Sequence, residues 1–383
     1  MTKKGEKAMA NVFDYLVWRG DLPINKQYPF NELDAVILGR YSYLPFHKIT
    51  MRKEETIGSI SKKFSKLSNK DFILEGDKIL SDYLGKSARF KDLVVSDYVR
   101  NSDKKLEKDF SVLTIHISAK EMYISYTGTN MEIFSWKEDF NLMFLDNVPC
   151  QILGSEYLNK VGEIYPSKKI RIGGHSKGGN IAIYSFVTAP KLIQNRVIKV
   201  YNYDGPGFRK EFIKKYYSKE ILAKIETYIP QESIVGQLLY HKEKISVANS
   251  NGKGFLQHDI FTWEVLKDDI VKLDKPTEVS TDVDKAITKW FENTTNEQRK
   301  IVVNTIFDVL SSTESETFPE MYNSLSKNLP VLLKNYNKVS KEDKDMINKT
   351  VKKLLDIYWD IRTTRGKEKI KSSIRGVKIV IKK

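Results

Sequence analysis

The sequence predicts an α/β fold in which a mostly parallel sheet is covered by helices. Three observations carry this expectation. Between residues 169 and 249, β-rich runs alternate with helical stretches, as the crossovers between parallel strands require. A β-prone run ends in glycine and passes through Gly174-His175-Ser176-Lys177-Gly178-Gly179 into a helix of small residues. After about Lys272 the β signal gives way to helical periodicity alone, which marks a C-terminal helical extension.

The elements follow in order. The first ten residues are polar and are expected to fray. Residues 11–18 carry aromatic and aliphatic side chains, and 30–45 reads as a helix with Leu33, Val36, Ile37 and Leu38 on its buried side. Ile57, Ile60, Phe64 and Leu67 recur at helical spacing, as do Ile79, Leu80, Tyr83 and Leu84, so the first quarter is read as helical. The pattern changes at Phe110. Residues 111–118 and 122–126 are β-rich and separated by Ala119-Lys120-Glu121, which predicts an antiparallel hairpin. An amphipathic helix then runs through Trp136, Phe140 and Phe144, and a further helix over 156–165 closes at Pro166. Strands are expected at 169–173, 197–203, 224–229 and 244–249, with helices at 177–189 and 208–217. In the extension, Thr294-Thr295-Asn296-Glu297 reads as a capping box, and Ser340 caps a later helix with Ile347, Val351, Leu354, Leu355 and Tyr358 on one stripe. Three regions result: a sheet domain over 11–271, a helical extension over 272–360 and a basic tail over 361–383.

Composition bounds the function. The chain of 383 residues carries 64 Lys+Arg against 49 Asp+Glu, a formal charge of +15, which favours anionic partners or simply a solvated lysine-rich surface. The tail concentrates this charge: nine basic residues and one acidic residue, Glu368, lie between Ile361 and Lys383. Ile374, Val377, Ile379 and Ile381 interleave with them, a pattern that also permits an edge strand. Cys150 is the one cysteine, so no internal disulfide can form. Asp14 and Arg19 interrupt the N-terminal apolar run, and no stretch reaches the roughly 20 apolar residues of a membrane span. The expected location is cytoplasmic. The histidines lack paired ligand spacing and no Cys/His cluster exists, so neither a metal nor a cofactor is expected.

The chemistry centres on Ser176. A serine between two glycines at a strand-to-helix turn is the setting of a nucleophile elbow, where a strained backbone demands tiny neighbours. The other reading of such a turn is phosphate binding on the helix N-terminus. A serine hydroxyl needs a base to take its proton. Of five histidines, His175 adjoins the serine and would support the turn, while His47 and His116 precede it. His241 lies in a charged run read as a solvated turn. His258, in a glycine-containing loop after the last strand, is the expected base. The acid that orients it should end a strand between the two. Asp204, before Gly205-Pro206-Gly207, is preferred, and Glu232 after the next strand remains an alternative. Oxyanion donors are expected from the Lys177 N–H and from Thr129, in Tyr126-Thr127-Gly128-Thr129-Asn130.

These segments resemble class 3 (fungal-type) lipases. Gly174-His175-Ser176-Lys177-Gly178-Gly179 is similar to their G-H-S-L-G-G elbow, and Tyr126-Thr127-Gly128-Thr129 with Trp136 and Asp139 to their oxyanion and lid region. Residues 13–21, 30–34 and Gln257-His258-Asp259…Trp263 resemble a bacterial family of lipase-like α/β-hydrolases, the likeness spanning about residues 11–265. The resemblance implies an α/β-hydrolase fold and a serine hydrolase with Ser176 as nucleophile, His258 as base and Thr129 in the oxyanion hole. Two departures stand out. Lys177 replaces the usual leucine, placing a cation near the site, and the class 3 acid motif D-x-V-x-x-L falls on Ser233-x-Val235-x-x-Leu238. Asn202-Tyr203-Asp204-Gly205-Pro206-Gly207-Phe208 instead looks like the acid segment of pancreatic-type lipases.

Two functions are therefore expected to compete. One is hydrolysis of a small-molecule or lipid carboxylic ester through an acyl-enzyme on Ser176. The other is a degenerate hydrolase scaffold that binds or regulates, with the basic tail contacting an anionic membrane or nucleic acid, the membrane being the expected partner of the two.

Overall fold

The computed structural model describes residues 9–380, and of Tyr322 and residues 366–380 the backbone alone. Residues 1–8, where fraying is expected, and 381–383 lie outside the described residues. A nine-stranded sheet organises the chain in the order β1 (Glu54–Thr56), β2 (Val94–Asp103), β3 (Lys108–His116), β4 (Glu121–Tyr126), β5 (Lys169–His175), β6 (Val197–Tyr203), β7 (Ile225–Pro230), β8 (Ile245–Ala248) and β11 (Lys272–Leu273). The two-residue strands β9 (Val265–Leu266) and β10 (Asp269–Ile270) pair with each other beside it. Strands β4 to β8 run parallel, while β1–β4 and β8–β11 pair antiparallel. The predicted hairpin is β3–β4, and the α/β-hydrolase architecture is present.

Because the parallel strands follow one another in sequence, right-handed crossovers place all their connecting helices on one face. That face carries α6 (Pro149–Ile164), α7 (Lys177–Thr188), α8 (Lys191–Arg196), α9 (Lys210–Tyr216) and α10 (Lys219–Leu222), packed on Val112, Ile124, Ile172 and Val200. The other face needs separate cover, and the N-terminal helices supply it: α1 (Val12–Arg19), α2 (Glu32–Tyr41), α3 (Ile57–Phe64) and α4 (Glu75–Lys86) pack on Leu113, Ile115, Tyr123, Tyr201 and Tyr203. Neighbours along a strand thus serve opposite cores, as the period of two requires.

The expected helix over 30–45 is shorter, since α2 starts only after Asn31 caps it and ends at Tyr41. Strand β2 stands where no strand was expected. Its outer half, from Val99, is polar and largely exposed, so little apolar alternation marks it. Two buried ion pairs staple the N-terminal layer. Arg89 Nε and Nη2 donate to Asp34 Oδ1 and Oδ2 at 2.7 and 2.5 Å, and Arg40 donates to Asp77 at 2.6 and 2.7 Å. Tyr15 and the Asn31 amide also donate to Asp34, so its charge is fully satisfied.

The extension comprises α11 (Glu278–Glu292), α12 (Asn296–Leu310), α13 (Phe318–Asn323), α14 (Leu325–Lys338) and α15 (Lys341–Val380). The capping box of α12 is formed by Thr295 and Gln298, one residue later than the spacing predicts, because the Thr294 hydroxyl is already bonded to Trp290 O. The extension packs against the sheet domain at α5 (Ile133–Asn141), where Ile133, Phe140 and Trp136 meet Phe307 and Phe318, and at Leu142 and Val148, which meet Trp290 and Phe291. The tail is no edge strand: the α15 backbone stays helical to Val380. No helix among the described residues is long and apolar enough to cross a membrane.

Replacing Arg89 with Met leaves Asp34 buried without its cation. Loss of one partner of a buried pair costs about 3–5 kcal/mol, so urea denaturation is expected to show a drop of that size.

Candidate active site

Strand register brings the site together. Tyr126 pairs with Gly174, His175 with Tyr203, and Tyr203 with Tyr228, so β4 to β7 end at one level. Thr129, Ser176, Asp204 and Ser233 all follow those ends, where open α/β sheets present their ligand-binding groups. Ser176 sits between β5 and α7 with φ 58° and ψ −135°. A non-glycine residue there is strained, and hydrogen bonds hold it: Ser176 N–H donates to Tyr203 O at 2.8 Å, and Gly179 N–H to Ser176 O at 2.9 Å. The space is as tight as the elbow reading requires. A Cβ on Gly178 would come within 2.2 Å of Tyr126 O.

His258 and Asp204 meet. The His258 Nδ1–H donates to Asp204 Oδ2 at 2.6 Å, which leaves Nε2 as the acceptor nitrogen. Asp204 is 1% exposed, and its Oδ1 accepts from Ser233 Oγ at 2.5 Å and from the Gly236 N–H at 3.1 Å. Ser233, at the position where the motif resemblance leads an aspartate to be expected, thus donates to Asp204. Glu232, the alternative acid, is not brought to the imidazole. Its Oε2 accepts from the Gly254 N–H at 2.8 Å and the Gln257 amide at 3.2 Å, tying down the loop that carries His258. Among the described residues, no hydrogen bond joins Ser176 Oγ to His258 Nε2; such bonds commonly tighten only when substrate binds.

His175 supports both neighbours. Its Nε2–H donates to His258 O at 2.7 Å, so its Nδ1 accepts from the Tyr43 hydroxyl at 3.1 Å. Burial, with His258 and Arg40 close by, holds the His175 pKa well below the ordinary value, so the ring stays neutral. Neither the Tyr43 contact nor the backbone anchoring of His258 has a local sequence signal. His241, read as a solvated turn, is instead buried, with Nδ1 2.7 Å from Glu243 Oε1. The charged run conceals this because Lys242 and Lys244 flank an inward-turned glutamate. His116 packs on β3 against Ser96 and Tyr165, and His47 is exposed.

The oxyanion segment lies against the elbow. A Cβ on Gly128 would stand 3.0 Å from Ser176 Cβ and 2.5 Å from His175 O, so only glycine lets this turn approach Ser176 so closely. The Thr129 hydroxyl bonds to Asp139 Oδ2, and Trp136 Nε1 donates to Asn130 O at 3.0 Å. Lys177 does not extend its cation into the site. Its side chain is 1% exposed, and Nζ lies 2.9 Å from Glu138 Oε2, 3.7 Å from Asp139 Oδ1 and 3.3 Å from Asp109 O. Burial would lower its pKa, but Glu138 and the neighbouring carboxylates outweigh that and hold it well above the lysine range. Glu138 also accepts from the Cys150 N–H and thiol. Burial pushes the Asp139 carboxyl up to about 6, against the opposing pull of Lys177 and Thr129. This cluster was missed. Its one signal was an adjacent acidic pair, Glu138-Asp139, inside an aromatic helical stripe.

Comparison with known proteins adds a family. The Mbeg1-like family model matches residues 84–308, from the end of α4 through most of α12. No curated protein sequence matches. Similar solved structures include lipase II from Rhizopus niveus, at 12% identity and TM-score 0.34, covering 62% of this chain and 87% of that one. A fungal lipase–inhibitor complex shares 16% identity at TM-score 0.34 over 52% of this chain and 83% of its own. The Lip2 lipase of Yarrowia lipolytica shares 14% at TM-score 0.30 over 51% and 77%.

A carboxyl whose pKa is raised on folding contributes stability below its unfolded pKa and loses it as pH rises through the folded value. For Asp139 that window runs from the usual carboxylate value of 3.8 to about 6. Wild type measured against Asp139→Asn is therefore expected to lose about 3 kcal/mol of relative stability between roughly pH 4 and pH 7, read by urea denaturation at each pH.

Proposed function

The chain belongs to the Mbeg1-like family, and from that premise we propose that it is a serine hydrolase acting on carboxylic esters. The observation that carries the reading is the Asp204–His258 hydrogen bond of 2.6 Å beside a serine in a strained strand-to-helix turn. In this reading Ser176 Oγ attacks the ester carbonyl carbon while His258 Nε2 takes its proton. Asp204 holds the imidazole through Nδ1 and stabilises the imidazolium without itself being protonated. The carbonyl oxygen becomes an oxyanion and is met by the Lys177 N–H and the Thr129 turn. His258 then returns the proton to the departing alcohol. Water, deprotonated by the same nitrogen, attacks the acyl carbon, and His258 passes that proton to Ser176 Oγ as the ester bond breaks and the acid leaves.

Apolar side chains near the base favour an ester with a hydrocarbon acyl group. The Phe255 ring lies 5.6 Å from His258 and 5.9 Å from Trp136, and Phe255 and Leu256 are 49% and 69% exposed. A fluorophosphonate probe is expected to label wild type and to lose all labelling in Ser176→Ala. Asp204→Asn keeps the nucleophile but disturbs the imidazole, so hydrolysis of p-nitrophenyl butyrate is expected to fall about 10⁴-fold. Undiminished labelling of Ser176→Ala removes the proposal.

A second reading, contact with an anionic membrane through the C-terminal helix, is favoured by one observation. Val351, Leu355 and Trp359 recur at helical spacing on α15 and are 40%, 52% and 58% exposed, leading into the basic tail. Deleting residues 361–383 is expected to abolish sedimentation with phosphatidylserine vesicles at low salt, and raising salt is expected to weaken it in the full chain. Equal sedimentation of both chains at both salts removes this reading.

A further inference from the structure

We propose that Lys177 is a positioning residue of the oxyanion hole, whose buried ammonium clamps the turn bearing Thr129 onto the elbow that bears the nucleophile. This rests on the hydrolase reading for its function, but its geometry stands independently. The two candidate donors come from chain segments far apart in sequence. One is the Lys177 N–H itself, on the first residue of α7; the other is the Thr129 turn after β4. Thr127 is the last residue of that turn held by β3, through its N–H to Ser111 O at 3.0 Å. Beyond it, Thr129 is held by a side chain of α5, since its hydroxyl bonds to Asp139.

What fixes α5 against the elbow is the next residue back. Glu138 is fully buried and meets the Lys177 ammonium at 2.9 Å, while Asp139 Oδ1 has no hydrogen-bond partner and faces the same ammonium at 3.7 Å. The charged and titratable groups around Asp139 are Lys177 from α7, Glu138 from its own helix, Asp109 from β3 and the Tyr43 hydroxyl after α2. Lys177 is the cation among them that reaches both carboxylates. One residue therefore contributes its N–H to the oxyanion hole and, through its side chain, holds the second donor segment in place. A leucine at this position could pair with neither carboxylate. Replacing a buried ion pair by apolar residues is often neutral or favourable for stability, so stability alone gives little reason for this arrangement.

Two variants test the clamp. Lys177→Met removes the cation and leaves Glu138 buried and unpaired. The double variant Lys177→Met/Glu138→Gln removes both charges, so folding is not lost with the clamp. Three measurements follow: kcat and KM on p-nitrophenyl butyrate, inhibition by a phenylboronic acid that adds to Ser176 as a tetrahedral oxyanion mimic, and hydrogen exchange of residues 127–131. The double variant is expected to keep KM within about twofold while kcat and boronate affinity each fall about 10- to 100-fold, less than the roughly 10²–10³-fold cost of removing an oxyanion donor outright because the donor is displaced and not deleted. Exchange of residues 127–131 is expected to accelerate about tenfold as the turn loses its anchor. A folded double variant with wild-type kcat, boronate affinity and exchange overturns the proposal. If wild type neither hydrolyses ester nor takes up fluorophosphonate, the hydrolase reading fails, and hydrogen exchange still decides whether Lys177 holds the turn.

Discussion

The constraint on which the structure depends is the backbone of Ser176. At φ 58° it costs on the order of 1–3 kcal/mol, and it persists only because its surroundings leave no alternative. Ser176 alone separates the end of β5 from the start of α7, so α7 is drawn down onto β4 until Gly178 meets the Tyr126 carbonyl. That approach fixes the spacing of β4, β5 and β6 at their carboxyl ends. It also brings the turns after β4 and β6 against Ser176, where a Cβ on Gly128 would stand 3.0 Å from Ser176 Cβ and one on Gly205 2.4 Å from Ser176 O. Asn180 and Asn202 then lock the arrangement, Asn180 donating to the carbonyls of Pro206 and Gly207 and Asn202 accepting from the Gly205 N–H. Asp204 inherits its place from this, since its own backbone, at φ 52°, turns out of β6 directly beside the elbow.

Crowding the ends of four strands collects polar groups where water is scarce, and the fold handles the resulting charges in two ways. Asp204 is stabilised by donors: a serine hydroxyl, a backbone N–H and the imidazole. Its carboxylate is thus satisfied on both oxygens by donors from Ser233, Gly236 and His258. Glu138 is stabilised by an ammonium and by the Cys150 N–H and thiol, a tighter and more local solution. Asp139 lies between the two. Burial raises its pKa to about 6, because one hydroxyl donor and the more distant Lys177 charge only partly oppose it.

The chemistry that depends on neighbours along the chain was legible in the sequence. The glycines around Ser176, the strand end at Asp204 and the glycine-containing loop at His258 are local patterns, and a hydrogen bond joins Asp204 to His258. What depends on residues far apart was not. Ser233 reads as a lost aspartate until it is seen donating to an aspartate from the neighbouring strand. Lys177 reads as a cation near the site because a side chain's direction cannot be taken from its position in a motif. Strand β2 was invisible for a related reason: its outer half lies beyond the helices that cover the sheet, so nothing selects for alternating apolar residues there. The helical extension was legible as helices, but its docking onto α5 depends on aromatic contacts that no periodicity encodes.

That docking gives α5 two duties. Its acidic pair, Glu138 buried and Asp139 half-buried, faces Lys177 and the turn after β4, while Ile133, Trp136 and Phe140 face α12 and α13. The segment before it is further tied to the extension, with Ile133 N–H donating to Glu316 O at 2.9 Å and Phe318 N–H to Met131 O at 3.1 Å. A helix of nine residues has little stability of its own, so its placement reflects the balance of these two attachments. The turn after β4 is therefore held from both sides, by a buried charge from the elbow and by apolar packing from the extension. Residues 309–323, beyond the family match, contribute to that second attachment through Phe318 and Met321. The geometry around Ser176 is thus a property of the whole chain, set as much by what packs on the far side of α5 as by the elbow itself.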